Sequence, residues 1–224
     1  MDLAAFLAGQ DKIYDKFRNN TSARDGLDTD QAVAGRKGGY IIAIRHPDAV
    51  TEPLARFAKR VSRCVPALAY SSKQLHTTLD TEDVETDFVP DEHRLMELSD
   101  FVETLDHRRL SAVTLNYDTI LHGNENVIAA GVPTNDGFLA LMEYLMKRAE
   151  HCGITLRMPA ITHITLNRFT RPVPADALKD FYALMKETPK VGNSTPTRVD
   201  VGHFNCTPRK FKLETYSSTC QTTF

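Results

Sequence analysis

Tryptophan is absent from the 224 residues, and cysteine occurs only four times. Cys64, Cys152, Cys206 and Cys220 are scattered, with no C-x-x-C pair. The chain therefore offers neither a disulfide framework nor a zinc spacing, and the cysteines read as reduced thiols of a cytoplasmic protein. No apolar run approaches the ~20 residues that span a bilayer. The one N-terminal apolar piece, Leu3 to Ala8, is too short for the core of a signal peptide. A net charge of −2 argues against a protein that stably coats long nucleic acid, and no membrane partner is expected. That balance conceals an asymmetry. Asp80 to Asp106 holds eleven acidic residues and one basic, Arg94, for a charge of −10; since −2 less −10 is +8, the other surfaces are positive enough to attract a small phosphate ester.

With 42% hydrophobic residues, the chain can bury one large core or two small lobes. Residues 1–35 read as an N-terminal extension, with a helix over Ala4 to Phe17 and a polar, turn-rich stretch over Asn19 to Gly35. It either packs on the body or covers a cleft. The body, residues 36–224, opens with the apolar run Tyr40-Ile41-Ile42-Ala43-Ile44, which suits a central strand. Leu54, Phe57, Ala58 and Val61 then recur at helical spacing, as do Leu95, Leu98, Phe101 and Val102, and later Leu141, Met142 and Leu145. Val113 to Leu121 alternates with period two and turns at His122 to Asn126 into a hairpin. Arg198–Cys206 and Phe211–Ser217 read as two closing strands. Strand, helix and His-x-Thr follow one another early, and hairpin, helix and His-x-Thr later, so the two halves share a layout. The class is α+β with mostly antiparallel strands.

Two segments carry the chemistry: Leu75-His76-Thr77-Thr78-Leu79 and Thr162-His163-Ile164-Thr165-Leu166-Asn167-Arg168-Phe169. In a strand, alternate side chains share a face. Each segment thus presents a histidine and a threonine roughly 7 Å apart along the strand, over aliphatics on the opposite face. Two such strands across a groove make a two-histidine phosphate site. Imidazole titrates near neutral pH, so one ring can take a proton while the other gives one; threonine hydroxyls can hold the non-bridging oxygens where charge develops. The plain alternative is a pair of core histidines, each satisfied by its own strand's threonine.

These two segments resemble the signature pair of the 2H phosphoesterase superfamily, which includes RNA 2′,3′-cyclic phosphodiesterases and 2′-5′ oligonucleotide phosphodiesterases. The resemblance covers roughly residues 38 to 217 in element order and lies in residue identity only at the two motifs. It implies a bilobed fold in which two mainly antiparallel sheets face a central cleft with helices outside, one His-x-Thr on each central strand. It also implies a metal-independent phosphodiesterase opening a 2′,3′-cyclic phosphate of a nucleotide or short RNA terminus to the 2′-phosphate. The alternatives are a 2′-5′ phosphodiesterase and a non-catalytic nucleotide-binding module. His163 is expected as base and His76 as acid, with Thr78 and Thr165 clamping the phosphate. No metal or other cofactor is expected, since the two motifs supply only two imidazoles. Arg168 is a further phosphate-binding candidate, although strict alternation turns it away from His163. Tyr40, Tyr117 and Phe169 are candidates to stack on a base, as are Tyr70 and Phe204. The first motif runs into Asp80-Thr81-Glu82-Asp83, unusually acidic beside a phosphate site. His203 reads as structural.

Overall fold

The computed structural model describes residues 2–19, 26–103 and 105–220. Part of the polar stretch expected over 19–35 therefore lies outside the described residues. Among the described residues, nine strands form one strongly curled, mainly antiparallel sheet. In chain order they are β1 (Lys37–Arg45), β2 (Ala67–Ala69), β3 (Thr77–Thr86), β4 (Leu115–His122), β5 (Asn126–Pro133), β6 (Thr162–Phe169), β7 (Asn193–Ser194), β8 (Arg198–Thr207) and β9 (Lys210–Cys220). Among the helices are α1 (Leu3–Arg18), α2 (Gln31–Ala34), α3 (Asp48–Cys64), α4 (Glu92–Glu103), α5 (His107–Ser111), α6 (Gly137–His151) and α7 (Lys179–Leu184). No described helix is long and apolar enough to cross a membrane.

The sheet runs β7-β4-β5-β6-β3-β1-β8-β9, with β2 paired to β6 off this path. Read outward from its middle it is near-palindromic: β6-β5-β4-β7 on one side, β3-β1-β8-β9 on the other. The chain repeats the same unit in each half, β1-α3-β3 and β5-α6-β6, which is the shared layout expected from sequence. The central strands β3 and β6 pair only at Thr77 and Ile164, and β2, from the β1-α3-β3 half of the chain, pairs with β6 beyond it. The α+β class with mainly antiparallel strands is as anticipated; the two expected sheets are halves of one strongly curled sheet, joined at that bridge and through β2.

The helices cover the outer face because their apolar stripes match the inward strand residues. Leu54, Phe57, Ala58 and Val61 of α3, Leu98, Phe101 and Val102 of α4, and Leu141, Met142 and Leu145 of α6 share one core with Leu75, Leu79, Ile164 and Leu166. Each such Leu, Ile, Val, Phe or Met side chain contributes about 1.5–3 kcal/mol by leaving water. Asn167, also on the outer face and fully buried, donates from Nδ2 to the carbonyls of Ala58 (3.0 Å) and Leu68 (3.2 Å), tying β6 to α3 and β2. The alternate residues of β3 and β6, beginning at His76 and His163, face the hollow of the curl.

Candidate active site

His76, Thr78, His163, Thr165 and Arg168 line one cavity of about 220 Å³, together with Ile41, Tyr70, Thr81, Phe204 and Phe211. The two histidines come from strands that touch at a single pair, so the bridge between Thr77 and Ile164 brings the residues before and beside it together.

His76 is fixed by its own loop. Its Nδ1–H donates to the Gln74 carbonyl (2.6 Å), which assigns the ring proton to Nδ1 in the neutral form and leaves Nε2 as the free nitrogen. Gln74 is held in turn, its Nε2 donating to Phe211 O (2.8 Å) and its backbone N–H to Ser71 O (2.8 Å). Burial lowers the His76 pKa to about 4; the Gln74 carbonyl works upward, while Arg45, His163 and Arg168 add to the lowering. His163 also falls to about 4, through burial and then the Arg168 charge. Both rings are therefore neutral well above that value, and an anion bound beside them would favour imidazolium.

Arg168 shares the cavity although simple alternation points it away. The reason is a β-bulge. Ile128 pairs with Thr165 and the next residue back, Val127, with Asn167, so Leu166 is an extra residue in β6. A bulge shifts the alternation by one: Leu166 and Asn167 are both buried, and Arg168 returns to the His163 face. Its guanidinium is held by Tyr70, whose Oη accepts from Nε (2.8 Å), and by Asp30, whose Oδ2 accepts from Nη1 (2.7 Å). Asp30 is 2% exposed and also caps α2, its Oδ1 accepting from the N–H groups of Ala32 (2.9 Å) and Val33 (3.2 Å).

The first motif has the same irregularity. Ala43 pairs with Thr78 and Ile42 with Asp80, leaving Leu79 as the extra residue. Both copies thus bulge directly after their threonine, and Thr81, five residues past His76, is the counterpart of Arg168, five past His163. Thr81 lines the cavity accordingly. The +5 spacing was a usable signal for it.

The aromatic wall differs from expectation. Tyr40 is buried away from the cavity, accepting from Asp91 N–H (2.8 Å) and packed edge-on to Phe88. Phe169 is fully buried against Phe181. Tyr117 is also buried, in the main core with Leu115 where ordinary alternation puts both; the bulge in β4, where Tyr117 and Asp118 stand opposite Gly131, moves Leu121 to the other face. There its hydroxyl meets Thr77 and His46 Nε2, while His46 Nδ1 meets Ser194 Oγ (2.8 Å). These three aromatics are scaffold. Tyr70, Phe204 and Phe211 line the cavity instead, with Tyr70 stacked on Phe211 (centroids 4.2 Å apart, 13° between planes). His203 faces Glu214 across the β8–β9 pair, 3.2 Å away.

Beside His76, the buried guanidinium of Arg45 donates to Asp200 (2.5 Å) and to the Lys73 carbonyl (2.9 Å). Among the described residues no three His, Cys, Asp or Glu side chains converge as metal ligands would.

No protein-family model and no curated protein matches the sequence. Solved structures do. Escherichia coli LigT complexed with 3′-AMP is 15% identical and matches with a TM-score of 0.51 over 84% of this chain and 99% of its own. A structure described as a phosphoesterase is 16% identical, with a TM-score of 0.55 over 83% and 98%. TT0787 of Thermus thermophilus is 18% identical, with a TM-score of 0.51 over 81% and 97%. The chain therefore has the LigT-like 2H phosphoesterase fold.

Proposed function

We propose that the chain is a phosphoesterase of the 2H type that hydrolyses nucleoside or RNA-terminal 2′,3′-cyclic phosphates to 2′-phosphates by acid–base catalysis between two histidines. The observation that carries this reading is the convergence of His76, His163, Thr78, Thr165 and Arg168 on one cavity. The nucleotide in the LigT complex, 3′-AMP, supports a nucleotide substrate.

Phosphorus sits between the two rings. His163 takes a proton from water, whose oxygen attacks phosphorus in line with the P–O3′ bond. That bond breaks and its electron pair stays on O3′, which receives the proton held on His76 Nε2. The assignment follows from the surroundings of each ring. Arg168 acts against a proton on both rings, which fall to about 4 alike, so the assignment rests on the Gln74 carbonyl, which stabilises a proton on His76. The hydroxyls of Thr78 and Thr165 and the fork of Arg168 hold the non-bridging oxygens, where charge accumulates in the transition state. Tyr70, Phe204 and Phe211 offer the nucleoside an apolar wall.

The test is a turnover panel of the four nucleoside 2′,3′-cyclic monophosphates and a 2′-5′ adenylate dimer, run with excess chelator. Chelator-insensitive release of 2′-phosphates is the expected result. Cleavage of the dimer alone selects the 2′-5′ reading, and tight nucleotide binding without turnover selects a binding module.

A further inference from the structure

The hollow of the curl is open over one half of the sheet and covered over the other. Thr165 pairs with Ile128, His163 with Ala130, and Ile128 in turn with Leu121. Directly paired residues stand on the same face, so Ile128, Ala130 and Leu121 lie on the side of His163 and Thr165, on strands spaced about 4.8 Å apart. That side is occupied. Tyr14 of α1 forms a small apolar cluster with Leu121, Ile128 and Ala130, joined by Phe17 and Ile161 and separate from the main core. The helix is pinned there. Gln10 Oε1 accepts from Thr162 N–H (2.8 Å) and Oγ1 (3.0 Å), and the Tyr14 hydroxyl meets the carbonyls of Thr162 and Gly131. Gln10 and Tyr14 are each 2% exposed, so α1 is built into the face it covers. Over the other half, Ile41, Thr81, Phe204 and Phe211 line the open cavity.

This asymmetry meets a difference between the substrate classes. In a 2′,3′-cyclic phosphate both ester oxygens belong to one ribose, and the attacking group is water; phosphorus carries one nucleoside. In a 2′-5′ linkage phosphorus carries a nucleoside on each side, which needs room on both halves of the cleft. We infer that α1 restricts the site to substrates with a single nucleoside at phosphorus, with Tyr14 and Phe17 filling the half that a second nucleoside would need. This rests on the phosphoesterase reading above and narrows it to terminal cyclic phosphates.

The test compares kcat/KM for adenosine 2′,3′-cyclic monophosphate and a 2′-5′ adenylate dimer in three proteins: the full chain, a chain lacking residues 1–18, and the Tyr14→Ala/Phe17→Ala double variant. The double variant opens the same space while keeping the helix, and thermal unfolding checks that each protein is folded. The full chain prefers the cyclic substrate by ~100-fold or more, and either alteration lowers that preference ~10-fold or more by raising the dimer rate. If the truncation does not fold, the double variant decides. A full chain that cleaves the dimer as fast as the cyclic substrate, or a folded double variant with an unchanged ratio, overturns the inference and leaves the phosphoesterase reading standing. Absence of turnover on both substrates removes that reading and the inference with it.

Discussion

The two His-x-Thr strands occupy equivalent places in a near-palindromic sheet, each with a bulge directly after its threonine, yet their surroundings diverge. Around His76 the half is open and aromatic, with Phe204 and Phe211 on its wall and Thr81 at the fifth position. Around His163 the half is covered by α1, and the fifth position is Arg168, braced by Tyr70 and Asp30. A duplicated framework can place two like rings about one phosphorus, and the proposed hydrolysis needs them in opposite protonation states. Arg168 lowers both rings, to about 4 alike; the Gln74 carbonyl, which favours a proton on His76, is the difference between them.

The largest expected effect is on the part the halves share. His76→Ala or His163→Ala should each lower kcat on a 2′,3′-cyclic nucleotide by ~10²–10⁴-fold, measured by product release in single-turnover reactions. Equal losses mark one shared phosphorus; a loss confined to one variant breaks the equivalence. Next comes the part in which they differ. Arg168→Ala should cost ~10–100-fold in kcat/KM, while Thr81→Ala, its counterpart, should cost ~3-fold or less. Because Asp30 is left buried without its cation, Arg168→Ala should also lower unfolding free energy by about 3 kcal/mol, read from urea denaturation. Thr78→Ala and Thr165→Ala should be milder, ~10-fold or less in kcat.

The last expected effect is on acid stability. Both ring pKa values in the folded protein are depressed, to about 4 from the ordinary 6.5. Between these values the unfolded chain binds more protons than the folded one, so stability falls as pH drops from 6.5 to 4 and is undiminished above 6.5. His76→Asn/His163→Asn should flatten this limb of a stability-against-pH curve. The same depression requires kcat/KM, which reports the free enzyme, to decline between pH 5 and 8. The kcat profile should lie to its alkaline side, because bound phosphate raises both rings.

What the sequence made legible was local. The two motifs, the helical stripes of α3, α4 and α6, and the repeated layout all follow from period and residue type over windows of a few residues. What it hid was set by insertion or distance. The bulges at Leu79 and Leu166 each add one residue without a residue type that marks them, and the second reverses the face of Arg168. The bulge in β4 likewise parts Leu121 from Leu115 and Tyr117, which alternation alone would put on one face. Asp30 reaches Arg168 across 138 residues of sequence, a pairing with no local trace. The place of α1 on the cleft face likewise depends on Gln10 finding Thr162, 152 residues away.

The central claim is that one phosphorus lies between the rings of His76 and His163, and histidine-selective NMR titration of the protein with and without a nucleoside 2′-monophosphate tests it most directly. Saturating product should raise the pKa of both rings together from about 4, by at least about one unit each. A titration in which either ring stays unmoved while the nucleotide binds contradicts the shared site.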